Sequence, residues 1–311
     1  MAIPNLGRVV FWMTGALLSF SASALAIRGL SGSMNTFEIL TIRSGLGVII
    51  LLALIAARPQ LRHDLALRRM GLHIWRNSSH FCGQFFWTLG VTVLPLATVF
   101  ALEFTMPMWI ALLAVPLLGE RLTASRVGSV LLGLIGVMVI VRPGLESFQP
   151  AAFLVLTAAF AYAFSLIATK QLTAYSSTFA IIFWMNVMQL PMGLVGALWM
   201  QPDAGSFFLL RLDQSLLLPA VTIGIVGLTS HYCLTNAFRA GDATVVVPLD
   251  FLRIPLIAVV GWLFYGERLD LLVFVGAGFI ISGVLWNLRA ESRRPRIPVA
   301  AVTEKAHSAD A

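Results

Sequence analysis

The stretch LEFTMPMWIALLAVPLLGERL, residues 102–122, recurs as LDFLRIPLIAVVGWLFYGERL over residues 249–269. Near the start of each copy stands an acid, Glu103 or Asp250, and the glutamate of the closing GERL motif follows that acid by 17 residues in both. The residues between the two acids are almost all apolar. Such self-similarity predicts two copies of one structural unit, a long apolar helix with a carboxylate inside it.

The composition indicates that these helices lie in lipid. The chain is 59% hydrophobic and 11% charged, with a mean hydropathy of +0.89, whereas about a quarter of the residues of a soluble domain are charged. The formal charge of +7 is therefore interpreted as a signal of membrane orientation. No nucleic-acid partner is predicted. Cys82 and Cys233 both lie in apolar runs, so they are interpreted as packing residues and not as a disulfide.

Apolar runs of about 20 residues, the length needed to cross a bilayer, predict ten transmembrane helices. They fall at residues 8–29, 36–57, 72–93, 96–118, 126–142, 150–170, 178–200, 216–238, 244–265 and 270–289. The fold class is therefore an all-α integral membrane protein. Residues 290–311, rich in Pro, Arg and Ala, are expected to form a disordered cytoplasmic tail.

The repeat extends over both halves of the chain. Residues 79–82, SHFC, match residues 230–233, SHYC, and smaller matches place the first span opposite the sixth. The first span resembles a secretory signal peptide, but its match to the sixth predicts that it is retained. Two five-helix repeats, residues 1–145 and 146–289, follow. Because five is odd, the second repeat must enter the membrane from the opposite side, which is the inverted-repeat arrangement of many secondary transporters.

The distribution of Lys and Arg predicts the orientation. With the N-terminus inside, fifteen of these residues fall on the cytoplasmic side, Arg76 among them, and four fall outside. Both termini are therefore expected in the cytoplasm.

The spans and the GERL motifs together resemble a known family. Gly119-Glu120-Arg121-Leu122 is followed by a glycine-rich fifth helix and by the RPG sequence at 142–144, whereas the second half has Arg289-Ala290 at that place. This pattern resembles the EamA type of the drug/metabolite transporter (DMT) superfamily, over roughly residues 8–289. The motif itself is interpreted as a tight turn at the membrane face, because glycine suits the end of a helix.

The resemblance implies an alternating-access carrier of small metabolites in a bacterial cytoplasmic (inner) membrane, with both the bilayer and a small-molecule substrate as partners. Export of an amino acid or a related compound is the favoured expectation. The alternative is uptake or facilitated exchange of a nucleoside-, flavin- or S-adenosylmethionine-like compound. Protons are the candidate coupling ion, and the protein is expected to be a monomer or a homodimer.

Four charged residues inside the spans are the first candidates for substrate binding or coupling, since each costs a few kcal/mol or more in hydrocarbon. They are Glu103, Asp250, Arg43 and Arg253. The alternative is structural neutralisation. Asp250 and Arg253 are three residues apart and can pair on one helix, and Arg43 is a possible partner of Glu103 across helices.

Further candidates surround these charges. His80 and His231 occupy equivalent positions of the repeat, Trp87 and Trp109 suit stacking on a planar substrate, and Asn186 adds a polar group. A membrane-embedded enzyme is the rival class, but the metalloprotease spacing His-Glu-x-x-His is missing from the sequence. Adjacent Ser-His pairs diverge by about 100° on a helix. We therefore predict no catalytic residue, no cofactor and no metal site.

Overall fold

The computed structural model describes residues 5–30, 32–66, 68–93, 102–141, 150–200, 209, 212–265 and 271–293, and these residues contain no β-strand. The helices of the first half are α1 Leu6–Leu30, α2 Thr36–Ala57, α3 Met70–Val93, α4 Met106–Leu118 and α5 Ala124–Val141. Those of the second half are α6 Ala152–Leu172, α7 Thr178–Trp199, α8 Gln214–Ala240, α9 Arg253–Tyr265 and α10 Leu271–Ser292. A 3-10 helix, Pro59–Leu65, follows α2.

Local sequence signals set several of these helix starts. Asn35 accepts a hydrogen bond from the Glu38 amide, while the Glu38 carboxylate accepts one from the Asn35 amide, which is a capping box at α2. Ser177 caps α7 by accepting a hydrogen bond from the Ala180 amide. Asp213 caps α8, and hydrogen bonds from the Ser215 hydroxyl and from backbone amides lower the pKa of this exposed acid.

Among the residues that the structure describes, six helices are long and apolar enough to cross a membrane: α1, α2, α6, α7, α8 and α10. They agree with six of the ten predicted spans. Helices α4 and α5 are apolar but shorter. Helix α3 has the length, but its polar residues keep it outside that set. Helix α10 ends at Ser292, three residues inside the segment predicted as a tail, and residues 294–311 lie outside the described residues.

The segments 96–118 and 244–265 are each predicted as one long apolar helix that contains an acid, but the described residues show a break near each acid. The second segment consists of a short helix Ala243–Val246, a 3-10 helix Val247–Leu252 and then α9. Pro248 lies in the first turn of the 3-10 helix, and a proline supplies no backbone donor to continue an α-helix. In the first segment a turn at Phe104 and Thr105 precedes α4. The two buried acids therefore lie at helix breaks, where their side chains are not part of a regular helical surface.

The main contacts between the halves follow the predicted repeat. Helix α1 packs on α8, α3 on α6, α2 on α7 and α5 on α10. The repeat makes α1 equivalent to α6 and α3 equivalent to α8, so the α1–α8 and α3–α6 contacts are equivalent to each other. The α2–α7 and α5–α10 contacts each join two equivalent helices. This is the pattern that two related halves produce, while their opposite orientation in the membrane remains a prediction.

Helices α5 and α10 touch through their backbones. A Cβ atom built on Gly276 would lie 2.6 Å from the carbonyl oxygen of Gly136, and one built on Gly136 would lie 2.5 Å from the carbonyl oxygen of Gly276. Small residues permit such close approach in membranes, where van der Waals packing drives helix association. These two glycines therefore fix the distance between the last helices of the two halves.

We expect Gly276→Ala to destabilise the protein by about 1–3 kcal/mol, because the added methyl group overpacks this contact. Gly278→Ala is the matched control, two residues away on the same helix, since a Cβ there meets nothing within 4 Å. Thermal unfolding of both variants in detergent measures the difference. Equal melting temperatures for the two variants would show that the α5–α10 contact is not close.

Candidate functional site

One guanidinium nitrogen joins the two buried acids. Nη2 of Arg253 lies 3.4 Å from a carboxylate oxygen of Glu103 and 3.3 Å from one of Asp250. Arg253 and Asp250 belong to the second half and Glu103 to the first, so this triplet connects the halves. The local pairing of Asp250 with Arg253 was expected from their spacing. The alternative partner of Glu103, Arg43, does not pair with it among the described residues, because Arg253 takes this place.

Aromatic groups surround the triplet. The indole nitrogen of Trp87 donates a hydrogen bond of 2.8 Å to Glu103. The guanidinium carbon of Arg253 lies 4.9 Å from the centre of the Phe104 ring and 5.7 Å from that of Phe20. The three charged side chains are only 12–19% exposed. Removing one charge from such a desolvated cluster leaves the others unbalanced, which is costly.

The two predicted histidines meet in the structure. The rings of His80 on α3 and His231 on α8 lie 5.4 Å apart in an edge-to-face arrangement. Tyr162 lies 5.5 Å from His80, and Phe20 lies 6.0 Å from His231. Because Phe20 also contacts Arg253, the histidine pair and the charged triplet form one continuous region between the halves.

Arg43 lies beside the histidines and not beside Glu103. Its side chain passes so close to Gly227 that a Cβ atom there would lie 2.5 Å from the guanidinium Nε. Gly227 precedes His231 by one helical turn on α8. No described residue forms an ion pair or a hydrogen bond with the Arg43 side chain.

A polar network extends from the histidines along α3. The Gln189 amide nitrogen lies 3.3 Å from His80 and 3.2 Å from the Asn77 side-chain oxygen. That oxygen also accepts a hydrogen bond of 2.7 Å from Arg76, which binds Thr169 as well. Arg76 is 1% exposed, so it lies inside the protein, near one end of the predicted span 72–93. Its position four residues before His80, on the same helix face, was the signal for its burial.

Trp109 and Asn186 do not join this region within the described part of the chain. Trp109 packs edge-on against Phe160 at 5.2 Å within the hydrophobic core. Asn186 donates a hydrogen bond to the carbonyl oxygen of Ile182 one turn earlier and lies against Gly47 of α2. Both contacts are those of packing residues, and the binding roles of Trp109 and Asn186 stay predictions.

The first GERL motif has a second role that its sequence did not reveal. Gly119 ends α4 with a φ of 65°, which confirms the predicted turn. Glu120, however, is 4% exposed and accepts hydrogen bonds of 2.7 Å and 2.9 Å from the amides of Ala243 and Thr244. A side chain of the first half therefore caps a helix of the second half. The other motif copy, residues 266–269, lies outside the described residues.

Arg126 extends this contact into a buried network. Its guanidinium lies 2.9 Å from Asp242 and 2.9 Å from Glu291, and it donates a hydrogen bond of 2.6 Å to the Thr244 hydroxyl. We call these residues the clasp: Glu120, Arg126, Asp242, Thr244 and Glu291. The clasp joins the ends of α4, α5, α8 and α10, and so holds the two halves together at one end of the bundle.

We expect Glu120→Ala to lower stability by about 3–5 kcal/mol, because the two buried amides lose their acceptor and Arg126 loses one of its three carboxylates. Arg121→Ala is the matched control, since the neighbouring Arg121 is exposed. Unfolding of the purified variants in detergent gives the comparison. If both variants unfold like the parent protein, Glu120 does not hold the halves together.

Comparison with known proteins agrees with this architecture. The EamA-like transporter family matches the chain twice, over residues 7–142 and 149–289. A solved crystal structure, 18% identical, superposes with a TM-score of 0.78 and covers 92% of this chain and 98% of the other. That likeness shows the shared fold.

Several curated relatives are transporters. A riboflavin transporter of Rhizobium johnstonii is 31% identical over 75% of this chain and 78% of its own length. An S-adenosylmethionine uptake transporter of Rickettsia felis is 26% identical over 91% of this chain and 92% of its own length. A pseudopaline exporter of Pseudomonas aeruginosa is 27% identical over 86% of this chain and 90% of its own length. All three names describe movement of a small molecule across a membrane.

Proposed function

This chain belongs to the EamA-like transporter family, and we propose that it carries a planar heterocyclic metabolite across a bacterial inner membrane by alternating access. Family membership makes it a multi-pass membrane transporter of a small molecule and not an enzyme. The direction of net movement follows the gradients of the substrate and of any coupled ion.

The observation that carries this proposal is the triplet of Glu103, Asp250 and Arg253. Alternating access requires the two halves to move against each other around a central site. The contact between Glu103 and Arg253 crosses between the halves, so it must break or rearrange in that movement. A substrate or a proton that competes for one of these charges lowers the energy needed to separate them.

The aromatic side chains around the triplet favour a planar substrate over a simple amino acid. Phe20, Phe104 and Trp87 lie within contact distance of its charges, and Tyr162 lines the adjoining histidine pair. Their faces suit offset stacking on a heterocycle. The riboflavin and S-adenosylmethionine relatives move compounds of this kind. We therefore prefer the nucleoside- or flavin-like alternative to the amino acid export that the sequence favoured.

Proton coupling is the mechanism that the triplet suits best. Protonation of Glu103 removes its charge and weakens its contact with Arg253, while Asp250 keeps the arginine neutralised. The halves are then freer to separate. Release of the proton on the other side restores the contact and favours the original arrangement. The two acids thus allow one proton to control one link between the halves.

We expect Glu103→Gln and Asp250→Asn to abolish uphill transport in proteoliposomes while substrate exchange persists, because neutral side chains cannot release a proton. Asp64→Asn is the control, since Asp64 is an exposed acid on the 3-10 helix after α2. Uptake of radiolabelled riboflavin or S-adenosylmethionine under a pH gradient gives the measurement. Uphill transport by both variants at the parent rate would contradict proton coupling through these acids.

Both termini are proposed to lie in the cytoplasm, from the excess of Lys and Arg on that side. A reporter fused after Ala311 is expected to lie in the cytoplasm. A reporter inserted between residues 201 and 211 is expected to lie outside. Paired phosphatase and fluorescent-protein fusions distinguish these outcomes. Finding both sites on one side of the membrane would contradict ten spans in this orientation.

A further inference from the structure

Arg43 and Arg76 differ from the other central arginines because no carboxylate among the described residues lies beside them. Arg253 and Arg126 each lie within 4 Å of two or more carboxylates. Over the described ranges, Arg43 and Arg76 have no carboxylate at such a distance. A guanidinium placed between transmembrane helices without a counter-ion is expensive, so its presence there calls for an explanation.

Arg76 is satisfied by neutral groups. Its donors meet the Asn77 side-chain oxygen at 2.7 Å and the Thr169 hydroxyl at 3.1 Å, and its side chain is fully buried. It is therefore built into the packing of α3 against α6. Its positive charge remains, and it adds to the potential at the neighbouring histidine His80.

Arg43 is the arginine that remains available. It is only half-buried, and its five N–H groups have no partner among the residues that the structure describes. Gly227 makes room for it, because a side chain there would collide with the guanidinium. One turn further on, His231 contributes a ring that can donate a hydrogen bond. Around Arg43 the described residues therefore present donors and a positive charge without a carboxylate.

The positive charge of Arg43 and Arg76 is present in the first half of the repeat and missing from the equivalent positions of the second half. The counterpart of Arg43 in the second half is Met185, and the counterpart of Arg76 is Gly227. The histidines, by contrast, are present in both halves. The positive charge therefore belongs to one side of the pseudo-symmetric centre, as expected for a site that holds one end of an asymmetric ligand.

The charges of the triplet do not compensate for these arginines. Arg253 is already neutralised by Glu103 and Asp250, and the Phe20 ring lies 5.7 Å from the Arg253 guanidinium carbon and 6.0 Å from the His231 ring. With Arg43 and Arg76 added, the described central region carries more positive than negative charge. A ligand with an acidic group would balance it.

We propose that the transported substrate carries an oxyanion, a carboxylate or a phosphate, and that Arg43 binds it beside His80 and His231. This inference rests on the proposed function and deepens it by naming the substrate class. The planar fork of a guanidinium matches the two oxygens of either group. The planar part of the substrate then extends past Phe20 toward the triplet.

The charge preference can be measured without knowing the substrate. The protein is prepared with Cys82→Ser and Cys233→Ser, and His231→Cys supplies one thiol next to Arg43. Its reaction rates with an anionic and a cationic methanethiosulfonate reagent of similar size are compared in membranes. We expect the anionic reagent to react faster, and Arg43→Gln to reduce the anionic-to-cationic rate ratio by about tenfold, because one nearby charge is removed.

Two controls isolate the local charge. Arg43→Lys retains the charge and is expected to keep most of the rate ratio, which separates an electrostatic effect from misfolding. Arg62→Gln removes an exposed charge on the 3-10 helix after α2 and is expected to leave the ratio unchanged. A faster cationic reagent, a ratio unaffected by Arg43→Gln, or no reaction with either reagent would overturn the inference.

Matched ligands distinguish this inference from the proposed function. Flavin mononucleotide and riboflavin share one ring system but differ in a phosphate, and thermal shifts of the purified protein report their binding. Stabilisation by the phosphate ester alone, lost in Arg43→Gln, supports an oxyanion site. Equal stabilisation by both compounds would overturn the oxyanion site and leave a planar-substrate carrier intact. If the His231→Cys thiol prefers the anionic reagent but the protein transports no planar compound, the oxyanion site stands and the proposed transport function is contradicted.

Discussion

The contact between Arg253 and the two acids is the interaction on which the centre of this protein depends. A charge in hydrocarbon is tolerated only when it is paired or reaches water, and one guanidinium nitrogen satisfies both acids. The helix breaks before α4 and α9 lie beside these charged groups. Irregular backbone within a membrane is tolerated only inside protein or a watery cavity, so these breaks are expected to face the interior of the protein or water.

The clasp and the triplet connect the same two halves at different levels. At the clasp, Glu120 binds backbone amides and Arg126 binds several acids, so many bonds must be lost together. At the triplet, the link between the halves consists of one contact of 3.4 Å between Glu103 and Arg253. Separating the two halves at the clasp therefore breaks many more hydrogen bonds and ion pairs than rearranging the triplet does.

The sequence predicted the elements whose signals are local or repeated. Hydropathy located the long helices, and the Asp250–Arg253 spacing predicted their pairing. It failed where a three-dimensional contact decides the outcome. Glu120 lies in a turn that looks purely structural, and only folding shows that its partner is the backbone of Ala243. Arg76 lies near the start of α3, and only the folded structure shows that it is buried against α6 with Thr169 as a partner.

The position of Glu291 has a practical consequence for handling the protein. This clasp residue lies in the final turn of α10, immediately before the basic C-terminal extension. An affinity tag or a protease site placed after residue 293 leaves the Arg126 contact untouched. Shortening the chain by a few residues more removes a carboxylate from the interior and exposes a buried cation, so the safe limit for trimming is set by an ion pair and not by the hydrophobic length of the helix.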